Sequence, residues 1–450
     1  MIRAARSGRA GDAYLVLLSG VLLGYAMLGK GFAYLGLPPL YIGEIAFLTG
    51  IVIFWRSRCF ASVLTTLPAL LLAATMAWVL LQTLPFVGDY GFDALRDSVV
   101  VVYGGFAFIL IALLLEDHRR INAILRYYHR FLDIYVPMSA SILLFQRYMG
   151  EYIPDVPGTN IPLLKISPGD PAVHLCGAIV FALAGLRKVT PVWTLIAFPS
   201  LTIVASISRG PLLAGFLPVI FAVLMLGKLR QLAQALLIGL LIFGVAYVVE
   251  PAFTSYTEAE HSSKRPVSTR QIVENVVSIV SPSGEQTEGT KEWRLQWWDM
   301  IIGDTIFGSH FWTGRGFGLN LGDADGFQDG DHPDLPPLRS PHNVHMTMLA
   351  RAGVPGAVLW FAFIASWFTM LLQAMRLARR RMQTEWAGLF LFTSCYVMSI
   401  IINASFDVGL EGPMQGVWFW CLIGFGIGSV MVYRCQPGLG HKDLFASEPR

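Results

Sequence analysis

Residues 98–120, SVVVVYGGFAFILIALLLEDHRR, decide the fold class of this chain. Residues 98 to 115 contain no charged side chain, and a helix of about 20 such residues crosses the hydrocarbon core of a bilayer. Arg119 and Arg120 follow directly, and basic residues beside a span mark its cytoplasmic end. The stretch therefore predicts a membrane helix that ends on the cytoplasmic side.

The composition of the whole chain extends this prediction. Hydrophobic residues make up 54% and charged residues 14%, and the mean hydropathy is +0.57. Ordinary soluble domains carry about a quarter charged residues, so a polytopic, all-α membrane protein is predicted. The net charge of +3 does not indicate a nucleic-acid partner, and none is predicted. About twelve apolar runs are long enough to cross the lipid bilayer: 14–29, 39–55, 63–82, 98–115, 131–148, 172–187, 191–207, 211–227, 234–250, 343–375, 386–403 and 414–433.

The short connections between these runs predict the orientation. Basic residues cluster on one side, which is predicted to be cytoplasmic and to hold both termini. The domains are then an N-terminal bundle of about nine spans (1–250), a large periplasmic loop with short helices (251–341), C-terminal transmembrane helices (342–433) and a cytoplasmic tail (434–450). The first apolar run lacks a small-residue cleavage site and is interpreted as a retained span. The five cysteines avoid the large loop, so no disulfide framework is implied.

Two segments of the large loop have helical apolar spacing, 267–280 and 290–302. The second places Trp293, Trp297, Met300 and Ile301 on one face, which predicts a helix lying along the headgroup boundary. Arg294 has no carboxylate at its three- and four-residue neighbours, so its partner must come from elsewhere. The alternatives are a salt bridge or simple solvation, and a bidentate clamp on phosphate or diphosphate.

Arg209 lies in ISRGPLLAG (207–215), at the predicted outer turn between two spans. A cation in so short an outer loop runs against the inside bias of basic residues. It is either an arginine that snorkels to the headgroups or a charge kept at a site despite its cost.

The segment RSPHNVHMTML (339–349) places a histidine at the start of the next span. Ser340 is predicted to cap a helix that Pro341 begins, with His342 in its first turn. There the helix dipole favours a neutral imidazole, which can act as a general base. The alternative is a histidine that only hydrogen-bonds a loop carbonyl. The context of Arg209 and Arg294 favours the catalytic interpretation.

Metal sites are weakly indicated. His345 is predicted to share a face with His342, but further ligands have no motif support, and no metal or other cofactor is predicted. The acidic run at 323–334 departs from a calcium loop where Phe327 and Gln328 stand, so a solvated surface loop is favoured. No phosphate-cradling loop is present.

Further polar residues are candidates for contacts with substrate. Glu44 is an intramembrane carboxylate that either lines a cavity or braces an outer arginine, and structural bracing is favoured. In NASFDVGLEGP (403–413), the carboxylates of Asp407 and Glu411 could orient an arginine or contact sugar hydroxyls. The candidate substrate-binding residues are Arg315, Arg339, Asn343, His345, Glu44 and Asp407.

These pieces together resemble the O-antigen ligase and polysaccharide polymerase family of bacterial inner membranes. The resemblance is carried by SRG between two spans, WRLQWWDMI in the large loop, GRGFG, HNVHMTMLARAGVPG and NASFDVGLEGP, in that order. It is strongest over about residues 200 to 415. The entry LGKGFAYLGLPPLYIGEI (28–45) looks similar to that of exopolysaccharide polymerases.

The resemblance implies a membrane glycosyltransferase fold of the GT-C type and a metal-independent, inverting transfer. A glycan would move from an undecaprenyl-diphosphate carrier to an acceptor hydroxyl at the periplasmic face, either on lipid A core or on another glycan chain. By the same resemblance, Arg209 and Arg294 correspond to arginines that hold the diphosphate, and His342 to the essential histidine. These three are the candidate catalytic residues.

The competing hypothesis is a multi-pass transporter or flippase of lipid-linked glycans. That class predicts paired halves with broken helices near the bilayer midplane. The unusual polar residues of this chain instead concentrate at one face and in one large loop, which favours the enzyme.

Overall fold

The computed structural model describes residues 2–188, 190–230, 285–328 and 338–436, with a few isolated helical positions between 233 and 273. Within these ranges the chain is almost entirely helical. The helices are α1 (Ile2–Leu28), α2 (Lys30–Ala33), α3 (Ile42–Arg56), α4 (Leu67–Thr83), α5 (Val87–Tyr90), α6 (Phe92–Val102), α7 (Gly105–Glu116), α8 (Arg119–Met149), α9 (Gly169–Leu183), α10 (Pro191–Ser206), α11 (Arg209–Leu226), α12 (Glu285–Ile306), α13 (Leu321–Asp325), α14 (Val344–Arg380), α15 (Thr384–Ala404) and α16 (Pro413–Cys435). Short 3-10 turns lie at Phe60–Leu64, Leu84–Phe86, Gly150–Tyr152 and Gly409–Glu411. One antiparallel hairpin pairs β1 (Gly36–Leu37) with β2 (Leu40–Tyr41).

The prediction of an all-α membrane protein is confirmed at this level. Seven stretches within the described ranges are long and apolar enough to cross a membrane: Gly8–Leu28, Leu67–Tyr90, Phe92–Glu116, Arg209–Leu226, Val344–Arg380, Thr384–Ala404 and Pro413–Cys435. Two further apolar helices, Gly169–Leu183 and Pro191–Val204, are shorter. The predicted span 234–250 and the predicted helix 267–280 lie almost wholly outside the described residues. Twelve spans, their orientation and the GT-C type remain predictions.

The core of the molecule surrounds α16. The apolar stretch of α16 is fully buried inside the protein, whereas that of α4 is mostly exposed. Trp360 and Trp367 of α14 and Trp420 of α16 are fully buried together, and their indole nitrogens bond a side chain or main-chain carbonyls. Such pairing satisfies the polar end of each indole while its ring fills the core. These bonds join α14 to α16 and α16 to α6.

Helix α14 is broken near its N-terminus. Gly353 has φ of 69° and ψ of −175°, which only glycine adopts readily. The apolar run at 343–375, which is longer than one crossing of the bilayer needs, is therefore divided into a short segment before Gly353 and a longer helix after it. Val354 N–H, freed from the helix, donates to the carbonyl of Phe311 at 2.8 Å. The segment around 311–316 therefore docks on the break.

The tryptophan face of α12 is not a membrane-surface face as predicted. Trp297 and Ile301 are fully buried and pack with Leu321 and Leu349. Trp297 Nε1 donates to Asp325 at 2.6 Å. The helix predicted at 290–302 is confirmed; Trp297 and Ile301 pack on the adjoining segment and α14, whereas Met300 of the same predicted face is exposed.

Candidate functional site

Arg294 of α12 reaches the connection between α15 and α16. Its Nη1 donates to the carbonyl of Phe406 at 3.0 Å, and its Nε is buried without a hydrogen-bond partner among the described residues. Burial lowers the pKa of this guanidinium; the charge of Asp407 raises it and that of Arg209 lowers it. A buried, incompletely bonded donor is costly in an apolar setting and needs an explanation. The sequence predicts that the partner of Arg294 comes from outside its own helix. That partner is the carbonyl of Phe406, and the carboxylate of Asp407 lies nearby.

Arg209 begins α11, and Ser208 stands at the N-cap position in an extended conformation. The neighbouring Gly210 lies against Phe406: a Cβ built on this glycine would be 3.2 Å from the Phe406 Cβ. Two arginines from α11 and α12 therefore converge on one short connection, close enough for each charge to act on the other.

His342 lies just before α14 and not in its first turn, so that prediction was wrong. Asn343 is the N-cap, since its side-chain oxygen accepts from the N–H groups of His345 and Met346 at 2.9 and 3.4 Å. His342 adopts φ of +53°, a left-handed conformation that is uncommon outside glycine. Asn343 caps better than Ser340 because its carbonyl meets two free N–H groups at once.

The His342 ring faces the connection that Arg294 also reaches. Its Nδ1 lies 3.8 Å from Asp407 Oδ1, and its ring lies 6.4 Å from that of Trp293 between centroids. The separation of 3.8 Å is longer than a hydrogen bond but within the range of a charge pair. Trp298 Nε1 donates to Pro341 O at 2.8 Å, which ties α12 to the turn before His342. Asp407 is itself one-third exposed, so the pair faces an accessible space.

His345 has a different environment. Its Nδ1 accepts from Trp360 Nε1 at 3.0 Å, and its ring stacks on Phe361. It does not share a helical face with His342, because His342 precedes the helix. Its contacts with Trp360 and Phe361, like the cap made by Asn343, are internal to α14. Contact of either residue with substrate remains a prediction.

A buried polar chain lies behind Asp407. Asp170 accepts from Gln415 Nε2 at 2.6 Å and from Ser167 N–H at 3.2 Å, and Gln415 Oε1 accepts from Asn403 Nδ2 at 3.1 Å. All three side chains of the chain Asp170, Gln415 and Asn403 are buried, and the charge of Asp170 interacts with that of Asp407. Asn403 and Gln415 flank the connection that carries Phe406 and Asp407, so this chain fixes its two ends. Sequence reasoning missed Asp170 and Gln415.

Arg315 and Arg339 lie in ion pairs. Arg315 bonds Asp304 through Nε at 2.7 Å and Asp325 through Nη1. Burial opposes its charge, but the hydrogen bonds that Arg315 donates to these carboxylates outweigh burial and raise the pKa of Arg315. Arg339 Nη2 contacts Asp97 at 3.1 Å and its Nη1 lies 3.4 Å from Asp93. Their contact with substrate stays a prediction, and the pairs found here brace the segment between α12 and α14.

Glu44 has local partners that its sequence did not reveal. Its Oε1 accepts from the Tyr103 hydroxyl at 2.5 Å and its Oε2 from Tyr41 N–H at 3.2 Å. The carboxylate thus caps the start of α3 and links it to the α6–α7 junction. Glu44 therefore braces the fold, but its partners are the side chain of Tyr103 and the backbone of Tyr41, and not an arginine as predicted.

Within the described ranges, no group of three or more His, Cys, Asp or Glu residues could hold a metal ion. The acidic run is only partly described, since 329–337 lie outside. Of the part that is described, Asp325 is taken by Arg315 and Trp297, and Asp323 accepts from Asn320 Nδ2 at 2.6 Å.

The arrangement brings together two guanidinium groups, one imidazole and one carboxylate at an accessible position. Guanidinium groups suit phosphate oxygens, and an imidazole beside a carboxylate can accept a proton and carry the resulting charge. This set corresponds to the three candidate catalytic residues and to Asp407. The sequence predicts Asp407 as a substrate contact. In the structure its neighbours among the described residues include His342 and Arg294.

Comparison with known families bears on the function of the chain at a coarse level. Residues 194–361 match the family model described as O-antigen ligase, which confirms the resemblance inferred from sequence. The matched stretch contains Arg209, Arg294 and His342 and ends before Asp407. No curated protein matches the chain. The match indicates a membrane enzyme that transfers glycans.

Proposed function

We propose that the chain is a metal-independent, inverting glycosyltransferase of bacterial polysaccharide assembly. It moves a glycan from an undecaprenyl-diphosphate carrier to an acceptor hydroxyl at the periplasmic face of the inner membrane. The observation that carries the proposal is the convergence of Arg209, Arg294, His342 and Asp407, which come from four segments distant in sequence. The acceptor is lipid A core for a ligase or another carrier-linked chain for a polymerase.

The two arginines would hold the diphosphate of the donor. A diphosphate leaves an anomeric carbon readily once its developing charge is neutralised, and fixed cations in a partly dry site do this without reorganising. The buried and unpartnered Nε of Arg294 supports a ligand-binding role, because an incoming phosphate oxygen would complete its hydrogen bonds.

His342 would act as the general base. The acceptor hydroxyl loses its proton to the imidazole, its oxygen forms a bond to the anomeric carbon, and the bond from that carbon to the phosphate oxygen breaks. Asp407, 3.8 Å from Nδ1, stabilises the imidazolium that results. One displacement of this kind inverts the configuration at the anomeric carbon.

The test is reconstitution of the full-length protein in nanodiscs with an undecaprenyl-diphosphate-linked glycan and a candidate acceptor, in the presence of EDTA. We expect a joined product, released undecaprenyl diphosphate and an inverted anomeric centre by NMR. A requirement for added metal would contradict the mechanism. In sealed proteoliposomes prepared in parallel, movement of the intact donor across the bilayer without any joined product would instead support the transporter hypothesis.

A further inference from the structure

A pair of lysines at the entry of the chain is not used by the proposed reaction. Lys30 begins α2, directly after the first span, and Lys165 lies in the connection between α8 and α9. Lys30 N–H donates to Lys165 O at 2.7 Å, and Lys165 N–H donates to Leu28 O at 3.1 Å. These main-chain bonds fix the two lysines side by side.

Two glycines make this contact possible. Gly29 has φ of +63°, and a Cβ on it would be 2.2 Å from Lys165 O. A Cβ on Gly31 would be 2.0 Å from Leu163 O. Since any larger residue would separate the two segments, the lysine pair depends on close backbone packing and is a fixed feature of the fold.

The charges of this pair are not balanced by a carboxylate within the described part of the chain. Lys30 is half-buried, with its ammonium 5.9 Å from the centre of the Tyr34 ring. Burial lowers the pKa of Lys30, and the charge of Lys165 lowers it further. By contrast, the arginines 96, 120, 187, 315, 339 and 351 each contact at least one carboxylate.

The lysine pair lies near the candidate site. From Lys165 the chain continues to Ser167, whose N–H donates to Asp170, the buried carboxylate behind Asp407. Two residues span at most about 7 Å of chain. Gln146 holds the intervening Ile166 by bonds to both its N–H and its carbonyl, at 2.6 and 3.1 Å. The two cationic positions therefore belong to one end of the molecule.

We propose that Lys30 and Lys165 form a second anion site, which binds a phosphate group of the acceptor. The inference rests on the proposed function, in which the arginine pair already binds the phosphates of the donor. A reaction that joins two phosphorylated, membrane-anchored glycans needs a position for each. Lysine ammonium groups act as point charges, so they hold a phosphate without fixing its orientation. That suits an acceptor whose hydroxyl must be free to reach His342.

The first test does not depend on activity. The full-length protein in phosphatidylcholine nanodiscs is acetylated under limiting reagent, and the extent at each lysine is measured by mass spectrometry. We expect glucose 1-phosphate or inorganic phosphate, at constant ionic strength, to slow acetylation of Lys30 and Lys165. Glucose should have no effect, and the exposed Lys188 serves as the reference lysine in the same spectra.

Two outcomes of this test overturn the inference. Equal rates with and without phosphate mean that the pair binds no anion. Protection only when phosphatidylglycerol replaces phosphatidylcholine, and none by soluble phosphate esters, assigns the pair to membrane headgroups. Neither outcome bears on the arginine pair, so failure here and failure of the proposed function are distinguishable.

The second test measures transfer. We expect Lys30→Ala/Lys165→Ala to raise the KM for the acceptor about tenfold, equivalent to about 1.4 kcal/mol, without changing the KM for the donor. Lys30→Arg, which keeps the charge, should retain the wild-type value, as should the control Lys188→Ala. A rise in the donor KM alone, or an acceptor KM unchanged in the double variant, would contradict the assignment.

Discussion

Two groups of arginines lie near the start of α14, and they differ in how their charges are balanced. Arg315, Arg339 and Arg351 contact carboxylates from other segments; Arg351 is 2% exposed and lies 3.1 Å from Asp97. Arg209 and Arg294 instead lie close enough for their charges to act on each other; Arg294 also feels the charge of Asp407, and its Nη1 donates to the carbonyl of Phe406. The first group stabilises the fold of the segment before α14, and the second is the pair that binds the donor diphosphate in the proposed function.

Replacement of His342, which lies beside the second group, is expected to have the largest effect. We expect His342→Asn to reduce transfer by about two to four orders of magnitude, because the general base is lost. Asparagine is chosen because it tolerates the left-handed conformation at this position. Product formation in nanodiscs is the measurement. The control His310→Asn should retain activity, because the Nδ1 of His310 lies 3.0 Å from Asp304, one of the carboxylates that Arg315 contacts. Full turnover by His342→Asn would move the base elsewhere.

Matched lysine substitutions test the two groups directly. Arg294→Lys should lower transfer by about two to three orders of magnitude, since a point charge cannot replace a planar fork at the leaving group. Arg315→Lys should leave transfer within a few-fold of wild type and lower the thermal unfolding temperature, because it keeps only part of the bonding to Asp304 and Asp325. Equal loss of activity in both variants would remove the distinction between the groups.

The polar chain behind Asp407 offers an intermediate effect. We expect Asp170→Asn to reduce transfer about tenfold, because its bonds to Gln415 and Ser167 hold the connection that carries Asp407. An imperfect buried hydrogen bond costs about 1–3 kcal/mol, enough to displace the connection. The double variant Asp170→Asn/Gln415→Glu restores a carboxylate and amide pair and should recover activity. If this double variant folds normally by circular dichroism but does not recover transfer, then transfer requires the negative charge at position 170 itself.

The smallest expected effect concerns acid stability of the balanced group. Burial alone would raise the pKa of Asp304, but hydrogen bonds from Arg315 and His310 outweigh it and lower the pKa. The stabilisation is therefore complete above the ordinary carboxyl pKa of about 4 and is lost as pH falls below it. We expect a modest drop in unfolding temperature over this window that Asp304→Asn abolishes. An Asp304→Asn protein with an unchanged acid profile would assign the drop to other carboxylates.

Much of the candidate site could be predicted from the sequence, for a physical reason. Arg209 and Arg294 lack carboxylates at helical spacing in their own segments, and their placement in an outer turn and the large loop signals a cost that function can explain. The backbone of His342 could not be predicted, because the choice between Ser340 and Asn343 as cap depends on which oxygen meets the free N–H groups.

The residues that sequence reasoning missed depend on contacts distant in the chain. Asp170 and Gln415 are 245 residues apart and leave no local pattern. Arg351 did leave a signal, an arginine inside the apolar run MLARAGVPG, which in a membrane protein predicts a buried partner. The tryptophan face of α12 was assigned to the bilayer interface because amphipathic spacing alone does not tell whether lipid or protein covers the apolar side.

The break at Gly353 separates the orientation of His342 from that of the long rod below it. Residues 344–352 are anchored to the 311–316 segment, as Arg315 and Gly316 donate their N–H groups to the carbonyls of Ala350 and Arg351. The rod from 354 onward can then change its tilt to match the thickness of the surrounding lipid while the nine residues above it stay with the segment. We expect transfer to vary little between bilayers of short and long acyl chains. A Gly353→Ala protein should become sensitive to chain length, because a Cβ at this position would lie 2.7 Å from Phe311 O and weaken the docking of the segment on the break.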